Sequence, residues 1–299
     1  MSEEAKPEVK SNPGSGYPPD LTPPRRREPM FNLPGVVTAL IVVFVLIHIL
    51  REYVLSPGQD SEILRTFAFI PGRIGNAIDP GQIAQELTRY AGNSSAFATA
   101  RYFLGDRSLQ LWSFVTYAFL HGDFVHAGVN SLWLAIFGAP VARRIGAIRF
   151  LALFLITAVA GAAAHFALHP YELVPVVGAS ASVSGTMAAA LRFVFQPGGP
   201  LGPAVPGWQL PAEFSARLPA LPLRNVVRDP RVMQFMAIWF VINMVFGIFS
   251  QQLGITSSIV AWEAHVGGFI AGFLLFGLFD PPPPDPQTFL QFRQPVWRG

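Results

Sequence analysis

The chain has no cysteine. That excludes disulfides, thiolate metal sites and a cysteine nucleophile, and leaves the redox compartment open. It is also poor in charge: 13% of its 299 residues are Asp, Glu, Lys or Arg, against about 25% in a typical soluble domain. The charges are segregated, with none in 29–50, 124–142, 150–171, 173–191, 232–262 or 264–279. A net charge of +3 does not point to nucleic acid, because the arginines flank apolar runs instead of forming one basic face. The polar, Pro-rich first 28 residues do not read as a secretory signal, and the apolar run after them is long enough to stay as a span.

What is abundant is apolar. Hydrophobic residues make up 51% of the chain, 26 of them Phe, and the mean hydropathy is +0.40. The charge-free stretches approach or exceed the roughly 17–25 residues that a helix needs to cross a bilayer. The composition therefore predicts an all-α, polytopic membrane protein in contact with lipid, with six spans near 35–54, 124–141, 148–168, 176–195, 232–250 and 258–279.

Twenty-two of the 28 prolines fall in 7–34, 197–230 and 281–295, densities that sustain neither helix nor sheet. These predict a disordered tail over 1–34, an irregular loop over 197–230 and a C-terminal tail over 280–299 around a membrane domain at 35–279. The segment 55–123 holds mixed charge and aromatic residues, which predicts a long, ordered first extramembrane loop. Arginine sets the orientation. Arg25, Arg26 and Arg27 precede span one, Arg143, Arg144 and Arg149 lie between spans two and three, and Arg217, Arg224, Arg228 and Arg231 between spans four and five. The connections 169–175 and 251–257 have no Arg or Lys. Both termini are thus expected on the cytoplasmic side, with the 55–123 loop and the start of span four opposite.

Three polar clusters sit where lipid would oppose them. Span two opens with His121, His126 and Asn130, span four with Gly178, Ser180, Ser182 and Ser184, and span six with Glu263, His265 and Gly268. All three fall toward the non-cytoplasmic side. Ser180 is placed about one turn into span four and His265 about two turns into span six. Small-residue stripes, Ser180/Ser184/Ala188 and Ala264/Gly268/Gly272, would let those helices approach closely. A serine hydroxyl near an imidazole suggests nucleophilic catalysis, in which the histidine removes the serine proton. The Ser180 backbone N–H with His126 and Asn130 would then supply oxyanion donors. No carboxylate matches a third position, so the expectation is a Ser–His dyad. Ser184, on the same face one turn deeper, is the rival nucleophile. Ser182 lies about 200° round the helix. Glu263 is expected to point away from His265 toward the interface. His48 and His165 have no visible partner in the sequence, and His169 reads as structural. No His-Glu-x-x-His motif is present and no span interior carries Asp, which leaves zinc and paired-aspartate proteolysis without their residues.

The ordered set Trp112, His126-x-x-x-Asn130, Gly178-Ala-Ser180 and Ala264-His265-x-x-Gly268 resembles the rhomboid intramembrane serine proteases. The resemblance covers roughly 110–279, and the six-span plan with its long first loop extends it to about residue 35. It implies Ser180 as nucleophile, His265 as general base and then acid, and His126 and Asn130 at the oxyanion positions. It also implies that His121 packs at the top of span two, with Gly178 and Gly268 in support, and that a substrate helix enters laterally past span five and the loop 251–257. The chain departs from the family pattern in having Ala181 after the serine where glycine is usual and Ser184 where an aromatic often stacks on the base. It also has Ser113 after Trp112 where arginine is usual, and no acidic residue after span two.

The sequence thus predicts an endopeptidase of a bacterial inner membrane that cleaves transmembrane protein substrates, with its site opening to the non-cytoplasmic face and no metal or organic cofactor required. A rhomboid-like protein that binds membrane clients without cleaving them is the alternative. A transporter ranks lower, because the polarity is confined to one end of the bundle.

Overall fold

The computed structural model describes residues 33–106, 108–207, 210–249, 260–283, 285 and 287. The expectations for most of the N-terminal tail, for the loop 251–257 and for most of the C-terminal tail lie outside the described residues.

The first helix, α1 (Gly35–Ile49), continues through a π-helical turn at Leu50–Val54. Its core-facing side is Val37, Leu40, Phe44 and His48, with much of the remaining apolar surface exposed, as suits a helix that faces lipid on one side. The first loop folds into α2 (Pro57–Phe67), α3 (Pro71–Ile78), α4 (Pro80–Thr88), α5 (Ser94–Leu104) and the short α6 (Ser113–Thr116). Proline opens α2, α3 and α4, where its missing N–H costs nothing. Ser56 and Gln59 form a reciprocal capping box on α2.

Then come α7 (Phe124–Trp133), a π-helical turn at Leu134–Gly138 and α8 (Ala139–Ile145), followed by α9 (Ala147–Leu168), which stops before Pro170. The central helix α10 (Ser180–Ala190) is buried along nearly its whole length. Two short turns, α11 (Ala212–Ser215) and α12 (Leu223–Val226), lead to α13 (Pro230–Phe249). The last helix, α14 (Trp262–Phe279), ends at Asp280 ahead of the prolines.

Four helices are long and apolar enough to cross a membrane: Gly35–Val54, Phe124–Ile145, Ala147–Leu168 and Trp262–Phe279. A fifth, α13, is apolar over Pro230–Val245. The expected fourth span is corrected. The helix covers 11 residues, about 16 Å at 1.5 Å per residue, and not 176–195. Its approach, 169–179, is irregular backbone, which membrane depth tolerates only when protein surrounds it. Here that backbone is tied down: Phe69 and Val176 exchange a pair of hydrogen bonds of 3.0 and 2.8 Å, the Gly72 N–H donates to Glu172 O at 2.8 Å, and the Gly178 N–H donates to Tyr117 O at 3.0 Å.

Glycine sets the packing of α9, α10 and α14. A Cβ on Gly268 would strike the Ala181 backbone, one on Gly272 the Gly185 backbone, and one on Gly185 the Thr157 side chain. Both contacts between α10 and α14 advance by four residues in the same direction, so the two helices run parallel. The touching stripe on α10 is Ala181/Gly185, one residue round from the expected Ser180/Ser184/Ala188, while Gly268/Gly272 on α14 is as expected.

The described residues of 197–230 are irregular apart from α11 and α12, and they are held against the bundle. The Leu221 N–H donates to Arg192 O, Arg192 Nε to Leu221 O, and Ser215 Oγ to Gly198 O. Arg144, one of the residues used to assign orientation, is buried. It pairs bidentately with Asp280 at 2.5 and 2.9 Å, donates to Ala216 O and Leu218 O, and lies over the Phe193 ring.

The packing makes a direct prediction. Gly272→Ala forces a methyl against the Gly185 backbone, whereas Gly277→Ala meets nothing within 4 Å. Overpacking of this kind costs about 1–3 kcal/mol. Thermal unfolding in detergent should show a lowered midpoint for Gly272→Ala and an unchanged or slightly raised one for Gly277→Ala.

Candidate active site

Four elements converge at the head of α10. Ser180 is the first residue of this helix and not one turn into it. Its N–H therefore has no acceptor within the helix and is available to a ligand. The turn before it depends on Gly178, whose φ of +124° disfavours any side chain. A Cβ there would also lie 2.6 Å from His126 Nε2, with Ser180 Oγ 3.7 Å away. Gly178, His126 and Ser180 thus form one packed corner.

His126 is placed by its own helix start. The Asp123 carboxylate caps α7 by accepting the His126 N–H at 2.7 Å. The Gly122 N–H points to His126 Nδ1 at 3.4 Å, which makes Nδ1 the acceptor and leaves Nε2 as the protonated nitrogen, on the side facing Gly178. Asn130, one turn along, is buried, and its Nδ2 donates to His126 O at 3.1 Å. One of its two amide hydrogens is therefore used within the helix and the other is left.

His121 is fully buried between Phe44 and the His126 ring, with centroids at 5.1 and 5.2 Å. Its carbonyl accepts from Arg51 Nη1 at 2.7 Å, and Arg51 in turn pairs with Asp60. Burial pushes the His121 imidazole down to about 3, with His126, His48 and Arg51 adding in the same direction, so it stays neutral.

His265 lies one turn into α14, closer to its start than expected. It sits one turn before Gly268, which meets Ala181, the neighbour of Ser180. In this parallel crossing Ser180 and His265 both fall in the first turn of their helices, with His265 offset by about two residues, ~3 Å of rise, from the register that pairs 181 with 268. Ser180 and His265 are not hydrogen-bonded to each other among the described residues. His265 instead has a partner that the sequence reading missed. Its Nδ1 lies 2.5 Å from Asn243 Oδ1 on α13, and Asn243 Nδ2 donates to Trp239 O at 3.0 Å. The second bond fixes the amide so that its oxygen faces the imidazole, which makes Nδ1 the protonated nitrogen and Nε2 the basic one. The signal was present, since Asn243 is the polar residue in the apolar run 235–249. A search for a carboxylate passed over it.

The departures from the family pattern also find their places. The Ala181 methyl points at Gly161 on α9, where a second methyl would lie far inside contact distance. Ser182 Oγ donates to Phe154 O at 2.7 Å and is fully buried, committed to packing. Ser184 is buried. Trp112 Nε1 donates to Thr66 O at 2.8 Å within the first loop. Two further expectations are corrected. Glu263 does not turn outward but is buried against His169 and His165, and His165 is not without a partner, since it lies between Glu172 and Glu263. His48 packs edge-on to Phe124.

The rhomboid domain model matches residues 108–280, more than half of the chain. This protein belongs to the rhomboid family. No curated protein was found to match it. Membership agrees with the helical bundle and with a multi-pass membrane protein. The matched region also contains Ser180, His265, His126, Asn130 and Asn243, so each of these rhomboid-domain positions can be addressed by mutation without touching the first-loop platform at 57–104.

The His121 environment gives a pH prediction. A histidine with a folded-state pKa near 3, against about 6.5 when unfolded, favours the folded state above pH 6.5, and that contribution is lost as pH falls toward 3. His121→Phe should therefore flatten the fall in thermal midpoint between pH 7.5 and 5 relative to wild type, measured in the same detergent.

Proposed function

We infer that this rhomboid-family protein is an intramembrane serine endopeptidase that cleaves peptide bonds in or near transmembrane segments of other membrane proteins. The observation that carries the reading is the 2.5 Å contact of His265 Nδ1 with Asn243 Oδ1. With Nδ1 donating to that oxygen, Nε2 is left as the free base on the helix packed against α10. A serine hydroxyl needs such a base to become a nucleophile. In this reading His265 Nε2 takes the Ser180 proton as the hydroxyl attacks the scissile carbonyl, then returns it to the leaving amine. The serine and imidazole close to hydrogen-bond distance in the substrate complex, as catalytic pairs commonly do.

Oxyanion stabilisation falls to the Ser180 N–H at the head of α10 and to His126 Nε2–H, with the remaining Asn130 amide hydrogen as a third donor. Gly178 keeps that corner open and Gly268 brings the base helix to it, while His121 packs the far side of His126. Asn243 is a positioning residue, acting through His265. The chemistry calls on no metal or organic cofactor.

The proposed topology has six spans, with α10 and α13 as the fourth and fifth and both termini cytoplasmic. The protein would lie in a bacterial inner membrane. The site then opens to the non-cytoplasmic face, from which water reaches the acyl-enzyme. The substrate helix enters beside α13, whose outer side chains, including Ile238, Val241 and Ile242, are exposed.

The test is labelling by a fluorophosphonate in native membranes. Wild type should label, and Ser180→Ala and His265→Ala should not, while Ser184→Ala labels normally. Asn243→Leu should slow labelling roughly ten- to hundred-fold, less than the ~10⁴ lost when the anionic orienting residue of the serine-protease triad is replaced. Folded wild-type protein that fails to label with several such probes would leave a client-binding rhomboid instead.

A further inference from the structure

A second polar cluster lies on α9 and α14, apart from the serine. His165 and His169 are four residues apart, so their rings project from one face at the end of α9. Their centroids are 5.0 Å apart. Glu263, in the first turn of α14, meets both: its Oε1 is 2.9 Å from His169 Nε2, and its Oε2 is 3.5 Å from His165 Nδ1. Glu172, in the connection after α9, places Oε2 3.1 Å from His165 Nε2. One ligand atom from each of His165, His169 and Glu263 falls within a mutual span of 4.8 Å.

Three ion-pair contacts join this group, His165 to Glu172 and to Glu263 and His169 to Glu263. His165 is 4% exposed and Glu263 9%. Both nitrogens of His165 lie near carboxylate oxygens, yet neither makes an aligned hydrogen bond among the described residues. Buried polar atoms are seldom left so. Two imidazoles and one carboxylate, from His165, His169 and Glu263, are a three-residue donor set that leaves one tetrahedral position for water. Imidazole selects zinc over the hard cations calcium and magnesium, and zinc–nitrogen and zinc–oxygen bonds run about 2.0–2.2 Å. That geometry places ligand atoms about 3.4 Å apart, so the group needs only side-chain rotation to close on an ion.

We propose that His165, His169 and Glu263 form a Zn²⁺ site, with a water completing the tetrahedron and Glu172 holding the other ring nitrogen of His165 as an outer partner. The bound ion staples the end of α9 onto the first turn of α14, so its effect is on stability. The residues are distinct from those assigned to the serine site, and the proposal stands or falls without the protease reading.

The test uses the full-length protein in detergent, with any affinity tag removed and resident metal stripped by EDTA and dialysis. Zn²⁺ alone is titrated by calorimetry, and thermal midpoints are recorded with and without it. Wild type should bind one equivalent with micromolar or tighter affinity and show a raised midpoint. His169→Ala, at a side chain 43% exposed, should fold as the metal-free wild type does, bind at least ten-fold more weakly and lose the shift. Equal binding by His169→Ala, or no saturable binding at one equivalent in wild type, overturns the site. X-ray absorption at the zinc edge on the loaded wild type depends on no variant. Two imidazoles among four nitrogen and oxygen ligands are expected, and a spectrum without imidazole scattering would be equally fatal.

Discussion

Backbone contact between α10 and α14 is the constraint on which the rest of the molecule depends. Between lipid-embedded helices there is little hydrophobic drive to associate, and close packing supplies the attraction instead. Gly268 and Gly272 press on the backbone at Ala181 and Gly185, and Gly185 in turn admits Thr157 of α9. With three helices locked this way, the register of α14 against α10 has no freedom to slide. That register fixes the depth of His265 relative to Ser180, and it does so without a side chain from either residue in the contact.

A buried helix of 11 residues brings a second requirement. The chain must reach its start through irregular backbone, whose N–H and C=O groups need partners. The first loop supplies them through Phe69, Tyr117 and Gly72. What the sequence presents as a long charged insertion is thus a scaffold for the turn at Gly178. The opposite end of the bundle is closed by Arg144, which gathers Asp280, Ala216 and Leu218 and ties the last helix to the Pro-rich 197–230 segment.

The sequence exposed the parts governed by composition and by local pattern. Charge-free runs located α1, α7–α8, α9, α13 and α14 to within a few residues, and the polar residues stranded in charge-free runs singled out Ser180, His126 and His265 as candidates. It missed what depends on tertiary burial. Hydropathy cannot place the ends of a buried helix, so α10 was drawn too long and its contact stripe one residue off. Glu263 was read from its spacing to His265 alone, whereas its partners come from α9. Asn243 was passed over because an amide carries no charge, although as an acceptor it can fix an imidazole tautomer as a carboxylate does.

The meeting of Ala181 with Gly161 has a consequence for how such chains vary. The methyl that replaces the usual glycine after the serine occupies the hollow that Gly161 leaves on α9, so the two positions share a single volume. Their substitutions are thermodynamically coupled, so the free energies of the two single changes do not add, and position 161 is further held to glycine by the Ala264 carbonyl oxygen, which a Cβ there would approach to 2.8 Å. The methyl that follows Ser180 therefore depends on a glycine twenty residues upstream, on a different helix.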